Sequence, residues 1–191
     1  MFLKEAKESI NQSIKLYHYI KNEETVNAIL KDGYLKSISY LIKNKELTDK
    51  EELNKYVGRL GYKNPEDYFK YTYNIYNKHI LKKDYTTTGI FLTTADLFKF
   101  NNKMQYRLIF NYDDFKNSVE MIHSVDGRYL KITNSRQLEV LSKPFINMSS
   151  EELQIRYFSG PYAFSHLPQV QVFIDKMKVK KEMVEKRIGG I

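Results

Sequence analysis

Apolar positions along the chain follow two rhythms. IKLYHYI (residues 14–20) has the branched and aromatic composition of a strand. In the EETVNAILKDGYL that follows, Val26, Ile29 and Leu30 recur at helical spacing, and Gly33 stands where a helix commonly stops. The spacing predicts strand, helix and glycine turn. Upstream, residues 4–14 read as a short helix.

Residues 40–82 change character. ELTDKEELNKYVGRLGY predicts a helix beginning near Thr48, with Glu51 three positions on as a capping partner. Asn64-Pro65-Glu66-Asp67 is a favourable helix start, and Tyr68, Phe69, Tyr73 and Tyr76 follow near helical spacing. Such a stripe could stack bases, but its ordinary use is packing. The segment reads as a helical insertion.

From residue 88 strands dominate. TGIFLTT is one, MQYRLIFNY (104–112) a second with a turn at Asn111–Asp114, and GRYLKIT (127–133) a third. RQLEVLSKPFI (136–146) is a fourth, ELQIRYF (152–158) a fifth and QVQVFID (169–175) a sixth. YAFSHL is a short helical piece, and KKEMVEKRI is expected to end the chain as a helix. Short links between strands favour antiparallel pairing. The expected class is α+β, one domain over 1–191: helices on a split or curved, mostly antiparallel sheet, with the insertion at about 40–82.

Composition narrows the partners. The net charge of +8 favours anionic partners, although a bias towards Lys, Asn, Ile and Tyr is also what an AT-rich genome produces. No cysteine means no disulfide framework and no thiolate metal site. The N-terminal MFLKEAKESINQS lacks the apolar core of a signal peptide, and no run reaches the roughly 18 apolar residues of a membrane span. A soluble cytoplasmic protein that meets no membrane is expected.

Common chemical motifs are absent. His18, His79, His123 and His166 lie far apart without metal-ligand spacing, and no metal is expected. There is no GxxxxGK, GxGxxG or GxSxG. What remains is an ordered trio: His18 inside LYHYI, then the aromatic and hydroxyl strand GIFLTT, then Glu139 inside QLEVL. On a strand, Gln137 and Glu139 would share one face. The ordinary reading of that pair is the wet side of a sheet.

The trio resembles the three motifs of ADP-ribosyltransferase-like domains. YHY with ILKDGYL is similar to their opening and GIFLTT to their second motif. RQLEVL is similar to their Gln-x-Glu-Val-Leu stretch and to the Arg-Gln-x-Glu of the DNA-modifying toxin branch. The likeness runs from about residue 14 to 175. It implies an NAD-dependent mono-ADP-ribosyltransferase acting on a protein or nucleic acid, as a toxin or as a phage or anti-defence effector. Glu139 would stabilise the oxocarbenium-like transition state, and Gln137 would orient an acceptor other than arginine. His18, with Tyr19, would hold NAD ribose hydroxyls. Thr93 and Thr94 take the hydroxyl positions, and Arg136 would meet a phosphate of NAD or of a nucleic acid. Phe91, Phe98 and Phe100 all compete to stack on nicotinamide. A first-motif His with Gln-x-Glu mixes two branches of the family.

Alternatives stay open. QVQVFID also suits a catalytic strand, but Gln171 stands where a Glu would be required. The same scaffold could bind a nucleotide without transferase chemistry or run an RNA 2′-phosphotransferase-like reaction, for which Arg107, Arg128, Arg136 and Arg156 fall in the strand region. A basic module binding nucleic acid or protein without catalysis is the third reading.

Overall fold

In the computed structural model, residues 14–44, 46, 89–99, 103–125, 128–142, 149–152 and 169–188 are described. The expected helices over 4–14 and through the insertion fall almost wholly outside them, as do ELQIRYF, except Glu152, and YAFSHL. The class is α+β, built on an antiparallel sheet of seven strands.

Among the described residues, nine strands run in chain order: β1 (Lys15–Ile20), β2 (Tyr34–Lys36), β3 (Ile90–Thr93), β4 (Tyr106–Asn111), β5 (Met121–Val125), β6 (Arg128–Ile132), β7 (Gln169–Val172), β8 (Lys176–Lys178) and β9 (Val184–Lys186). The large sheet has the order β6-β5-β7-β3-β1-β4-β9, and β2 pairs with β8 in a small second sheet. Among the helices are α1 (Glu23–Asp32), α2 (Ile38–Lys43), α3 (Tyr112–Phe115) and α4 (Ser135–Ser142). No helix among the described residues is long and apolar enough to cross a membrane.

The opening follows the expected pattern. α1 is capped by Asn22, whose side chain accepts from the Thr25 N–H, and stops at Gly33 in the left-handed conformation (φ 83°). That stop turns the chain into β2, and the Gly33 carbonyl then accepts from the Val179 N–H at 2.9 Å. β1, β3, β4, β6 and β7 lie where strands were expected.

Two expectations are corrected. RQLEVLSKPFI is not a strand over its described part: Ser135–Ser142 is helix α4. Asn134 accepts from the Gln137 N–H at 3.1 Å, and Gln137 Oε1 accepts from the Thr133 N–H at 2.7 Å. This reciprocal arrangement starts a helix. Leu138 and Leu141, three apart, then bury together in the core. KKEMVEKRI is not a closing helix either. After a 3-10 turn at Lys181–Met183, β9 pairs with the edge of β4, Arg107 opposite Glu185. Cross-strand pairing outweighs the local helical pattern there. Strands β2, β5 and β8 were not expected.

Register separates the two faces of the large sheet, because residues directly opposite in antiparallel strands point the same way. One face is the core: Leu16, Ile20, Ile90, Leu92, Leu108, Phe110, Val170 and Val172 are all buried. The other carries Tyr17, Tyr19, Phe91, Thr93, Arg107 and Gln171.

The sheet is not evenly stitched. β1 and β4 share six paired positions and β3 and β7 share four, yet β1 and β3 share only Tyr17↔Thr93. The sheet is therefore two blocks, β6-β5-β7-β3 and β1-β4-β9, meeting at a seam.

Backbone contact at Gly89, just before β3, is close. A Cβ there would stand 2.4 Å from the Val172 carbonyl oxygen and 2.7 Å from Gln171 Cγ. At Gly33 a Cβ would meet nothing within 4 Å, so only φ is strained. Gly33→Ala should cost about 1 kcal/mol. Gly89→Ala should cost more, about 2–3 kcal/mol, because backbone must move. Urea unfolding of both variants checks the order, and equal losses would contradict the close approach.

Candidate functional site

The YHY triplet of β1 sits on the seam, and each member binds across it or along its rim. His18 shares the core face with Leu16 and Ile20 but is only partly buried. Its Nδ1 lies 3.1 Å from the Phe91 carbonyl oxygen. A carbonyl only accepts, so Nδ1 carries the proton and a neutral ring keeps Nε2 as an acceptor. Burial pushes the imidazole pKa below its ordinary value, and the bond to the Phe91 carbonyl opposes that shift in part. Neutral His18 can thus donate to the main chain and accept from a ligand hydroxyl.

Tyr19, on the opposite face, stitches the same seam. Its hydroxyl donates to the Ala95 carbonyl at 2.8 Å and accepts from the Leu97 N–H at 2.8 Å and from Arg107 Nη1 at 3.3 Å. Burial raises the Tyr19 pKa, while the Arg107 hydrogen bond pulls it down. With those partners the hydroxyl is committed to the loop after β3 and has little capacity left for a ligand. The ring meets Phe98 edge-on, centroids 5.4 Å apart.

Arg107, on β4 opposite Tyr19, is the electrostatic centre of that face. Its Nη1 bonds Asp96 Oδ1 at 3.0 Å, and its Nε and Nη2 reach Glu185 Oε2 at 3.0 and 2.9 Å. The guanidinium also lies over the rings of Tyr17 (4.3 Å) and Phe98 (4.6 Å). Burial works against its charge, but the hydrogen bonds to Tyr19 and Glu185 and the Glu185 charge outweigh it and raise its pKa. Asp96 and Glu185 answer this charge already, so Arg107 fastens the seam rather than offering a vacant anion site. The cluster is not visible in the sequence because Asp96, Arg107 and Glu185 are far apart in the chain. The available signal was the single charge of Arg107 inside the apolar stretch YRLIF.

The remaining predicted residues divide. Phe91 contributes its carbonyl to His18, while its side chain lies on the Tyr19 face. Thr93 is buried, and its Oγ1 accepts from the Ala95 N–H at 3.1 Å. The Thr94 hydroxyl donates to the Leu141 carbonyl at 3.3 Å and so ties α4 to the end of β3. Glu139 rides on the exposed side of α4, and Gln137 is engaged in the start of that helix. Arg136 is exposed and pairs with Glu151 at 3.3 Å; such a pair adds little stability. His18, Tyr19, Phe91, Thr93 and Phe98 are thus gathered at the seam. Arg136, Gln137 and Glu139 sit on a separate helix, so Gln137 and Glu139 do not share the strand face expected of them.

The competing strand, β7, lies directly beside β3, with Gln171 opposite Phe91 on one side and Ile122 on the other. Gln171 is 2% exposed, and neither of its amide atoms has a hydrogen-bond partner among the described residues. No group of His, Asp and Glu among the described residues could hold a metal ion. Comparison with protein-family models, with curated proteins and with solved structures returns no match.

The His18 shift has a pH signature. A depressed folded pKa means that the unfolded chain takes up the proton first as pH falls, so stability declines below the ordinary histidine range near 6.5. Urea midpoints of the wild type and His18→Gln at pH 7.5 and 5.5 test this. The wild type should lose more stability on acidification than the variant, and equal losses would contradict a neutral, partly buried His18.

Proposed function

We propose that this chain is an ADP-ribosyltransferase-like domain that binds NAD at the β1–β3 seam and passes ADP-ribose to a protein or nucleic-acid acceptor. The observation carrying this reading is His18: a neutral imidazole at the seam, held by Phe91 through Nδ1 and keeping Nε2 to accept from a ribose hydroxyl. The sequence resemblance gives the first-motif His that same duty. Phe98 lies with Tyr19 and Arg107 on the face opposite the His18 side chain, so the nicotinamide-stacking role is not assigned to it.

In this reaction the bond between nicotinamide and ribose breaks while positive charge develops on the ribose. A carboxylate near that carbon lowers the barrier electrostatically. Glu139 is the candidate supplied by the resemblance. Its helix is fastened to the end of β3 through Thr94 and Leu141, two residues from the carboxylate.

One observation favours a second reading. β7 is the strand next to β3, and there Gln171 is a neutral amide. An amide cannot answer an oxocarbenium charge as a carboxylate does. If the catalytic position belongs to β7, the scaffold binds NAD or a related nucleotide and leaves it uncleaved.

Two readouts separate these readings: calorimetric NAD binding, and nicotinamide release with cell extract or nucleic acid as acceptor source. Transferase function predicts release by the wild type, a fall of about a hundredfold or more in Glu139→Gln, and weakened NAD binding in His18→Ala. Unchanged release in Glu139→Gln removes Glu139 from catalysis. His18-dependent binding without release supports the second reading, and no NAD binding at all defeats both.

A further inference from the structure

Away from the seam, a cavity of about 440 Å³ opens at the end of the core where β4 runs into α3 and faces β8. That size lies within the roughly 300–1,000 Å³ typical of small-molecule sites. Its apolar walls come from Phe110, Phe115, Ile174, Met177 and Met183. Phe110 sits opposite Leu16 on the core face, so the cavity continues the hydrophobic core rather than the polar face. Met183 is held in place, since its Sδ accepts from the Lys180 N–H at 3.4 Å. Methionine walls adapt to ligands of varied shape.

The polar lining is mostly charged, with Asn111 as its neutral member. Lys176, Lys178 and Lys180 face Asp114 and Glu182. Three ammonium groups against two carboxylates leave an excess of one positive charge. Lys176 lies over the Tyr34 ring at 4.4 Å, whereas Lys178 and Lys180 are exposed and make no ion pair among the described residues. An apolar chamber with one surplus cation suits an apolar body with a single anionic head. Polyanions would meet Asp114 and Glu182, and cations would meet three lysines.

We propose that this cavity binds a small amphipathic monoanion: a short acyl chain or a ring carrying one carboxylate. The body fills the space between the two methionines and Phe115, and the head lies towards Lys178 and Lys180. The site is separate from the NAD reading and stands or falls independently of it.

Calorimetry on the full chain with three probes tests the assignment: octanoate, octylamine and inorganic phosphate. Octanoate should bind, with octylamine and phosphate at least tenfold weaker. The surface variant Lys178→Glu/Lys180→Glu should weaken octanoate at least tenfold without changing the thermal midpoint. Met183→Trp, which fills the chamber, should abolish binding. No octanoate binding, octylamine binding as tightly as octanoate, or full octanoate affinity in the double lysine variant would overturn the proposal.

Discussion

The seam between β1 and β3 is the constraint on which the rest of the arrangement depends. A continuous antiparallel sheet would join these strands by a ladder of main-chain bonds. Here one paired position, Tyr17↔Thr93, is supplemented by side chains. His18 reaches the Phe91 carbonyl from the core face, and Tyr19 reaches Ala95 and Leu97 from the other. Each such bond contributes only about 1 kcal/mol net, but leaving its buried partner unsatisfied costs more. His18 and Tyr19 thus have structural duties at the seam before any ligand is considered.

That origin explains why the polar face looks as it does. Arg107 is brought against Tyr19 by the β1–β4 register and against Glu185 by the β4–β9 register. Asp96 arrives from the loop that Tyr19 pins. The cluster locks the β1-β4-β9 block to the end of β3. Because the guanidinium is already answered by two carboxylates and a hydroxyl, the capacity for new chemistry at the seam rests with His18 Nε2.

Much of this was legible in the sequence, for identifiable reasons. Strands β1, β3, β4, β6 and β7 announce themselves by β-branched and aromatic runs, and α1 by its apolar spacing and Gly33. The α+β class follows from their order. SRQLEVL misled because Leu138 and Val140 fit a two-residue repeat while Leu138 and Leu141 fit a helical one; a short apolar run cannot decide between them. The deciding signal was outside the run, in Asn134 and Gln137, whose spacing is that of a helix start. β9 was illegible for another reason: its strand state depends on the edge of β4, about eighty residues earlier. In the site, His18 was found because it interrupts an apolar strand. The Arg107 cluster was missed because only tertiary pairing assembles it.

His18 is a neutral imidazole, protonated on Nδ1 by virtue of the seam, and its Nε2 is the atom proposed to meet NAD. Nitrogen-15 NMR of the histidine rings, with His18→Gln for assignment, measures this directly. The account predicts a neutral His18 at pH 7 with the proton on Nδ1, and an Nε2 resonance that moves when NAD is added. A proton on Nε2, or an Nε2 resonance that ignores saturating NAD, would contradict it.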